Sequence, residues 1–260
     1  MTKLSIVMAT WNSANSVDTA LQSLKKQTFT DYELIVIDNV STDKTLDLVR
    51  ASKIKNLKII CQKDTGLYNA LNKGVAQASG EYVHFLHSDD CYATCHVLET
   101  ANQFIKKSGA KMISGGVRFP RLMDNIYPRV WALNNSNYKI KRKHFYFGWM
   151  PPHTGTFFST DLFSIVGKFD ESFKIAADYD WFMRAADESI QHVTVSKFFV
   201  HQRLGGLSTT PRNLLRVLKE DFKAARKNNI LPVAVILKRI RKLNQIKWFP
   251  RWLLTKNRDF

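Results

Sequence analysis

Cysteine is scarce, with three residues in 260 at positions 61, 91 and 95. That excludes a disulfide-built scaffold and fits a reducing compartment. Eleven glycines and seven prolines are too few for a collagen-like or low-complexity chain. No stretch approaches the ~18 apolar residues of a bilayer-spanning helix. Met1–Met8 has neither the apolar core nor the small-residue cleavage site of a secretory leader. The glycines form neither G-x-G-x-x-G nor G-x-x-x-x-G-K-[ST], so dinucleotide and P-loop cradles are missing. Acidic residues are in deficit, 22 against 39 Lys+Arg, for a net charge of +17.

What is present begins with that charge. Arg203–Phe260 holds 15 basic and 3 acidic residues, a balance of +12, which leaves +5 for the first 202. Such asymmetry invites an anionic partner: nucleic acid, an anionic membrane face or a phosphorylated substrate. With 45% hydrophobic residues, a chain of this length buries roughly 70–75% of its unfolded surface, enough for a full core.

Apolar runs and helical periods alternate through the first third. Leu4–Ala9, Leu34–Ile37, Leu57–Ile60 and Tyr82–Leu86 read as buried strands. Between them, Val17, Ala20, Leu21 and Leu24 recur at helical spacing, as do Leu67, Leu71, Val75 and Ala78. Ser41-Thr42-Asp43 supplies cap residues for a helix through Leu46 and Val49. Strands joined by helices of this length imply right-handed crossovers and an α/β fold with a mostly parallel central sheet. A helix near Val97–Ile105 and a strand at Met112–Ser114 follow. Residues 118–150 show no clear period and read as loops or a variable insertion. Signals resume from Thr154 to Val200, and beyond Pro211 two basic helices are predicted, split near Asn228-Asn229 and opened by Pro232. The division expected is a body at 1–210 and a basic helical extension at 211–260.

In an open parallel sheet, ligands bind beyond the carboxyl ends of the strands. Four polar groups gather there: Thr10-Trp11-Asn12, Asp38-Asn39, Asp64-Thr65-Gly66 and Ser88-Asp89-Asp90. Each one alone is ordinary turn chemistry, but four strand ends leading to one edge are harder to dismiss as turns and mark a candidate site. Without a glycine cradle, a diphosphate can be held through a Mg²⁺ or Mn²⁺ ion on carboxylate oxygens, and Asp89-Asp90 is a reasonable place for that ion. Cys91-x-x-x-Cys95-His96 has no second ligand pair for zinc and reads as packing.

These blocks also resemble the family two glycosyltransferases. Leu4–Asn12 is similar to the opening strand of that family, Val36–Thr45 to its second signature and Gly66–Gly74 to its third. Leu86-His87-Ser88-Asp89-Asp90 stands where the family has its metal motif, and Phe169–Asp180 resembles the segment bearing its catalytic base. The five blocks keep order and spacing across residues 4–184. The resemblance implies a GT-A type nucleotide-sugar-binding fold and inverting sugar transfer, as in the branch acting on bacterial surface polysaccharides. By position, Trp11 would stack on the donor base and Asp38 would hydrogen-bond it, favouring uracil. Thr10, Asn12 and Ser88 belong to the same nucleotide-sugar site, with Asp64 and Lys73 along the nucleotide and phosphates. Asp89 would be the principal ligand of Mn²⁺ or Mg²⁺, and Asp178 the general base. Two positions depart from the family pattern. His87 stands where an Asp usually opens the metal motif, and either ligates the metal or contacts ribose or phosphate. Ala177 precedes Asp178 where the family often has Glu, which leaves Asp180 as a competing base. His153 reads equally as an acceptor- or phosphate-side group and as a structural hydrogen bond.

The resulting expectation is a metal-dependent hexosyltransferase taking a UDP-sugar donor and a lipid-linked saccharide acceptor. It would work in polysaccharide assembly as a cytoplasmic, peripheral enzyme on the inner face of a bacterial membrane. Val233, Ile236, Leu237, Ile240 and Leu243, flanked by Lys238, Arg239, Arg241 and Lys242 and followed by the aromatic run Trp248–Leu254, suit an anionic membrane surface. The competing readings are a basic nucleic-acid-binding protein, whose strand-end carboxylates would repel phosphates, and a transferase that binds donor without turnover. The leading reading has no nucleic-acid partner.

Overall fold

The computed structural model describes residues 3–119, 129–131, 133, 136–139, 141–186, 189–203 and 213–247. Its parallel half is β1 (Leu4–Thr10), β2 (Tyr32–Asp38), β3 (Leu57–Cys61) and β4 (Tyr82–Phe85), ordered β3-β2-β1-β4. The first two strands are apolar without alternation because the sheet is covered on both faces. Val7 joins one core with Ile35, Tyr68 and Phe85, while Ile6 and Met8 join the other with Leu21 and Val36.

α1 (Val17–Lys25), α2 (Thr45–Ala51) and α3 (Leu67–Ala76) make the crossovers. α1 buries Val17, Ala20, Leu21 and Leu24, the face that the spacing predicts. α3 is rotated from its predicted face: Tyr68, Leu71, Asn72 and Gly74 are buried, while Leu67 and Val75 are partly exposed. Asn72 is tolerated inside because its amide donates to the Phe169 carbonyl and to Glu171, and its Oδ1 accepts from the Phe169 N–H. Gly74 permits the close approach to β1, since a Cβ there would lie 2.3 Å from Val7 Cγ1.

The second half of the sheet corrects the expectation of mostly parallel pairing. β9 (Thr156–Ser159) lies antiparallel between β4 and β6 (Met112–Phe119). β10 (Gln191–His201) is parallel to β6 but antiparallel to β5 (Cys91–Tyr92) and β8 (Ser136–Lys139), and β7 (Arg129–Trp131) is antiparallel to β6. The sheet is mixed. A strand buried on both faces carries the same apolar signature in either direction, and all four residues of β9 are buried. Residues 118–150, read as loop or insertion, hold β7, β8 and α5 (Arg142–Tyr146) among their described positions.

α4 (Val97–Ser108) packs on β6 and β10. α6 (Leu162–Ile165) and α7 (Ala177–Arg184) lie on the face that holds α3. α8 (Leu214–Lys227) and α9 (Val233–Lys247) are separated at Asn228–Asn229, where Asn229 is left-handed with φ 53°. α8 packs on α7, and α9 on α8 and β7. α9 turns Ala234, Val235 and Lys238 inward and leaves Val233, Ile236 and Ile240 exposed. The aromatic run Trp248–Leu254 lies outside the described residues.

Candidate active site

The loops beyond the parallel strands hold one another by side-chain hydrogen bonds. Thr10 Oγ1 donates to Asp38 Oδ2 at 2.7 Å, and the buried Asp38 also accepts from the Ser41 N–H and hydroxyl at 2.8 and 2.6 Å. Asn12, left-handed at φ 46°, accepts from the Thr42 N–H at 2.9 Å. Trp11 beside it is 66% exposed, an open indole at the end of β1. Asp64 accepts from the Gly66 N–H, and burial raises its carboxyl above the usual range. Lys73 donates to the Lys63 carbonyl at 2.7 Å. Ser88 donates to Ser13 at 3.0 Å and so ties the end of β4 to the loop after β1.

Past β4 opens a cavity of about 310 Å³. His87, Ser88 and Asp89 line it, together with His153, Asp178 in the first turn of α7, and Val217, Asp221 and Lys238 from α8 and α9. His153 Nδ1 is 3.9 Å from Asp178 Oδ2, and the His87 and His153 rings lie 5.2 Å apart. Burial lowers both imidazoles to about 4, so a neutral pair faces the carboxylate at neutral pH. His153 Nε2 is buried without a hydrogen-bond partner among the described residues. The Tyr68 hydroxyl donates to the Ile175 carbonyl at 2.6 Å and lies 3.3 Å from Asp178 Oδ1. Burial, then the Asp178 charge, pushes that phenol well up, so it remains a donor.

Asp180 is not in this cavity. It is fully buried against Arg184 at 2.9 Å, Lys227 at 3.2 Å and the Asn228 amide at 2.9 Å, and it fastens α7 to α8. Residues two apart on a helix point in different directions. Asp90 is also buried: Oδ1 accepts from the Arg203 N–H at 3.1 Å, and burial reinforced by the Asp89 charge pushes its carboxyl well up.

Asp89 is exposed and His87 half-buried on the same wall. Among the described residues no group of three or more His, Cys, Asp or Glu could hold a metal. The Asp89 carboxylate is the oxygen ligand of this wall that fits Mg²⁺ or Mn²⁺, ions that keep water and phosphate oxygens in much of their shell, whereas the neutral His87 imidazole does not suit Mg²⁺. The roles of Tyr68 and of the lining residues of α8 and α9 were not legible beforehand. Tyr68 sits inside the Gly66–Gly74 block, but its reach to Asp178 spans 110 positions, a distance no local pattern encodes.

Residues 5–165 match the family described as Glycosyl transferase family 2, more than half of the chain. The chain belongs to glycosyl transferase family 2. This glycosyltransferase is 28% identical over 215 residues to a PGL/p-HBAD biosynthesis glycosyltransferase of Mycobacterium tuberculosis, covering 79% of each chain. It is 34% identical over 117 residues to the Escherichia coli UDP-Glc:alpha-D-GlcNAc-diphosphoundecaprenol beta-1,3-glucosyltransferase WfaP, covering 42% of this chain and 46% of that one. Among solved structures, S. aureus TarS 1–349 in complex with UDP-GlcNAc superposes with a TM-score of 0.66 at 21% identity, over 90% of this chain and 69% of that one. The mannosyltransferase PcManGT from Pyrobaculum calidifontis, in complex with GDP-Man and Mn²⁺, gives 0.67 at 18% identity, over 91% and 68%. Both structures share its fold, the α/β GT-A type with a mixed sheet.

Proposed function

We propose that this glycosyltransferase moves a hexose, with inversion, from a UDP-sugar to a hydroxyl of a lipid-linked saccharide in bacterial surface polysaccharide assembly. The observation that carries the reading is that Asp89 and Asp178 line one open cavity, so a group for the departing diphosphate and a group for the attacking hydroxyl face the same space. Asp178 takes the acceptor proton while the acceptor oxygen bonds to the anomeric carbon. The bond from that carbon to the phosphate oxygen breaks, and UDP leaves with the electron pair. The Tyr68 hydroxyl lies 3.3 Å from one oxygen of Asp178, and the neutral His153 ring borders the other at 3.9 Å. Asp89, with His87, would hold a divalent ion, which when bound neutralises charge on the departing diphosphate. Trp11 offers a face to the donor base. Asp38, expected to hydrogen-bond that base, is fully buried with its oxygens taken by Thr10 and Ser41. In this reading it braces the loop beside Trp11 together with Thr10 and Asn12, while Ser88, Asp64 and Lys73 border the nucleotide.

A UDP-sugar and a diphosphate-linked lipid acceptor are what the name of the E. coli relative describes. GDP-Man in one fold neighbour makes the nucleotide the first thing to test. Residues 211–260, whose described part is α8 and α9, we assign as a basic extension of the 1–210 body that docks on an anionic membrane at its cytoplasmic face. What supports docking is the outward set Val233, Ile236 and Ile240 of α9, with Arg216, Lys219, Lys223 and Arg226 exposed on α8. No helix among the described residues is long and apolar enough to cross a membrane. The deciding experiment is UDP or GDP release from a panel of nucleotide sugars with Mn²⁺ and with a lipid-diphosphate saccharide as acceptor. Release from GDP-sugars alone overturns the donor assignment, and release that survives a chelator overturns the metal.

A further inference from the structure

Asp178 is the second residue of α7, so its direction depends on how the chain enters that helix. The first N–H groups of a helix have no helical carbonyl to donate to. Ala176, the cap residue, has no side-chain acceptor of its own. Glu220 of α8 supplies an acceptor to the cap residue and to the two residues that lead into it, not to the helical residues themselves. Its Oε2 accepts three successive backbone N–H groups, from Lys174 at 3.0 Å, Ile175 at 2.8 Å and Ala176 at 3.1 Å. A carboxylate in that place also meets the positive end of the helix dipole. The same segment is held from its other side, because the Ile175 carbonyl accepts from Tyr68 of α3 at 2.6 Å. Asp221, next on α8, accepts from Lys238 at 2.8 Å and Arg239 at 2.6 Å, so α8 is braced in turn by α9.

We infer that Glu220 is a positioning residue for the base: by gripping the backbone of residues 174–176 it sets the entry of α7 and the aim of Asp178 across the cavity. The inference rests on Asp178 being the base, as proposed above. Glutamine at 220 keeps an acceptor oxygen of nearly the same reach, whereas leucine leaves three donors without a partner.

The test compares wild type, Asp178→Asn, Glu220→Leu and Glu220→Gln by turnover of UDP-glucose and UDP-GlcNAc, and by amide hydrogen exchange over residues 174–178. Glu220→Leu is expected to lower kcat about tenfold or more with donor KM within about twofold. Exchange at 174–178 should quicken, and Glu220→Gln should recover most of both. Wild-type kcat in Glu220→Leu beside an inactive Asp178→Asn overturns the inference. So does unchanged exchange, or a rise in donor KM that accounts for the whole loss. Full turnover in Asp178→Asn overturns the base assignment instead, and the exchange data separate that outcome from a Glu220 that does not hold the segment.

Discussion

His84 Nε2 lies 2.9 Å from the carbonyl of Thr154. A carbonyl only accepts, so that nitrogen carries the proton and Nδ1 accepts from the Tyr92 hydroxyl at 3.1 Å. The bond joins β4, three residues before His87, to the turn that presents His153, and so fixes the two sides of the cavity to each other.

That arrangement predicts acid sensitivity. Burial lowers His84 to about 3, as it does His192, whereas the unfolded chain titrates near the ordinary 6.5. Between those values the unfolded state binds the proton and the folded state does not, so stability falls as pH drops from about 6.5 toward 3. Each such histidine contributes about 1.4 kcal/mol per pH unit within that window. Urea midpoints measured from pH 7 to 4 should fall steadily. His84→Gln should flatten the slope, and an unchanged slope would show that His84 is not neutral in the fold.

Asp178→Asn should cut transfer by about 10²–10⁴-fold, the span usual for general-base catalysis, with UDP affinity unchanged. Asp180→Asn has the opposite signature. It weakens the contacts to Arg184 and Lys227, costing about 1–3 kcal/mol of stability in a thermal melt while sparing most kcat in protein that stays folded. Reversed phenotypes would transfer the base to Asp180.

Calorimetry should separate two parts of donor binding. Asp89→Ala should remove the gain in UDP affinity that Mn²⁺ confers, leaving the metal-free affinity close to wild type. Trp11→Ala should cost about 1–3 kcal/mol with or without metal, the usual worth of stacking a base on an aromatic ring. Equal Mn²⁺ dependence in wild type and Asp89→Ala would remove Asp89 from the metal site.

Membrane docking is best tested at exposed positions of α9. Cutting the chain before α9 would strip Lys238 and Arg239 from the buried Asp221 and confuse docking with stability. Ile236→Ser with Ile240→Ser changes two exposed side chains, so the melting temperature should hold. Sedimentation with anionic liposomes at low salt should drop severalfold while UDP binding stays the same. Undiminished sedimentation would exclude this face of α9 from the contact.

The local signals carried far. Apolar runs located β1 to β4, and spacings of three and four located α1, because strand and helix periods are local properties of the chain. The break at Asn228–Asn229 was equally visible. The strand-end polar groups were legible for the same reason: loops after parallel strands share one edge of a sheet. Tertiary structure decided the rest. The antiparallel run of β9 between β4 and β6 could not be read from the chain, since a fully buried strand looks alike both ways. Which of Asp178 and Asp180 meets the cavity depended on Lys227 and Arg184 claiming the second. In α9 the cationic Lys238 faces inward and Ile236 and Ile240 outward, against the usual sense of an amphipathic helix. The cause is Asp221: a buried carboxylate needs a cation, and its partner lies 17 positions along the chain, beyond the reach of any periodicity.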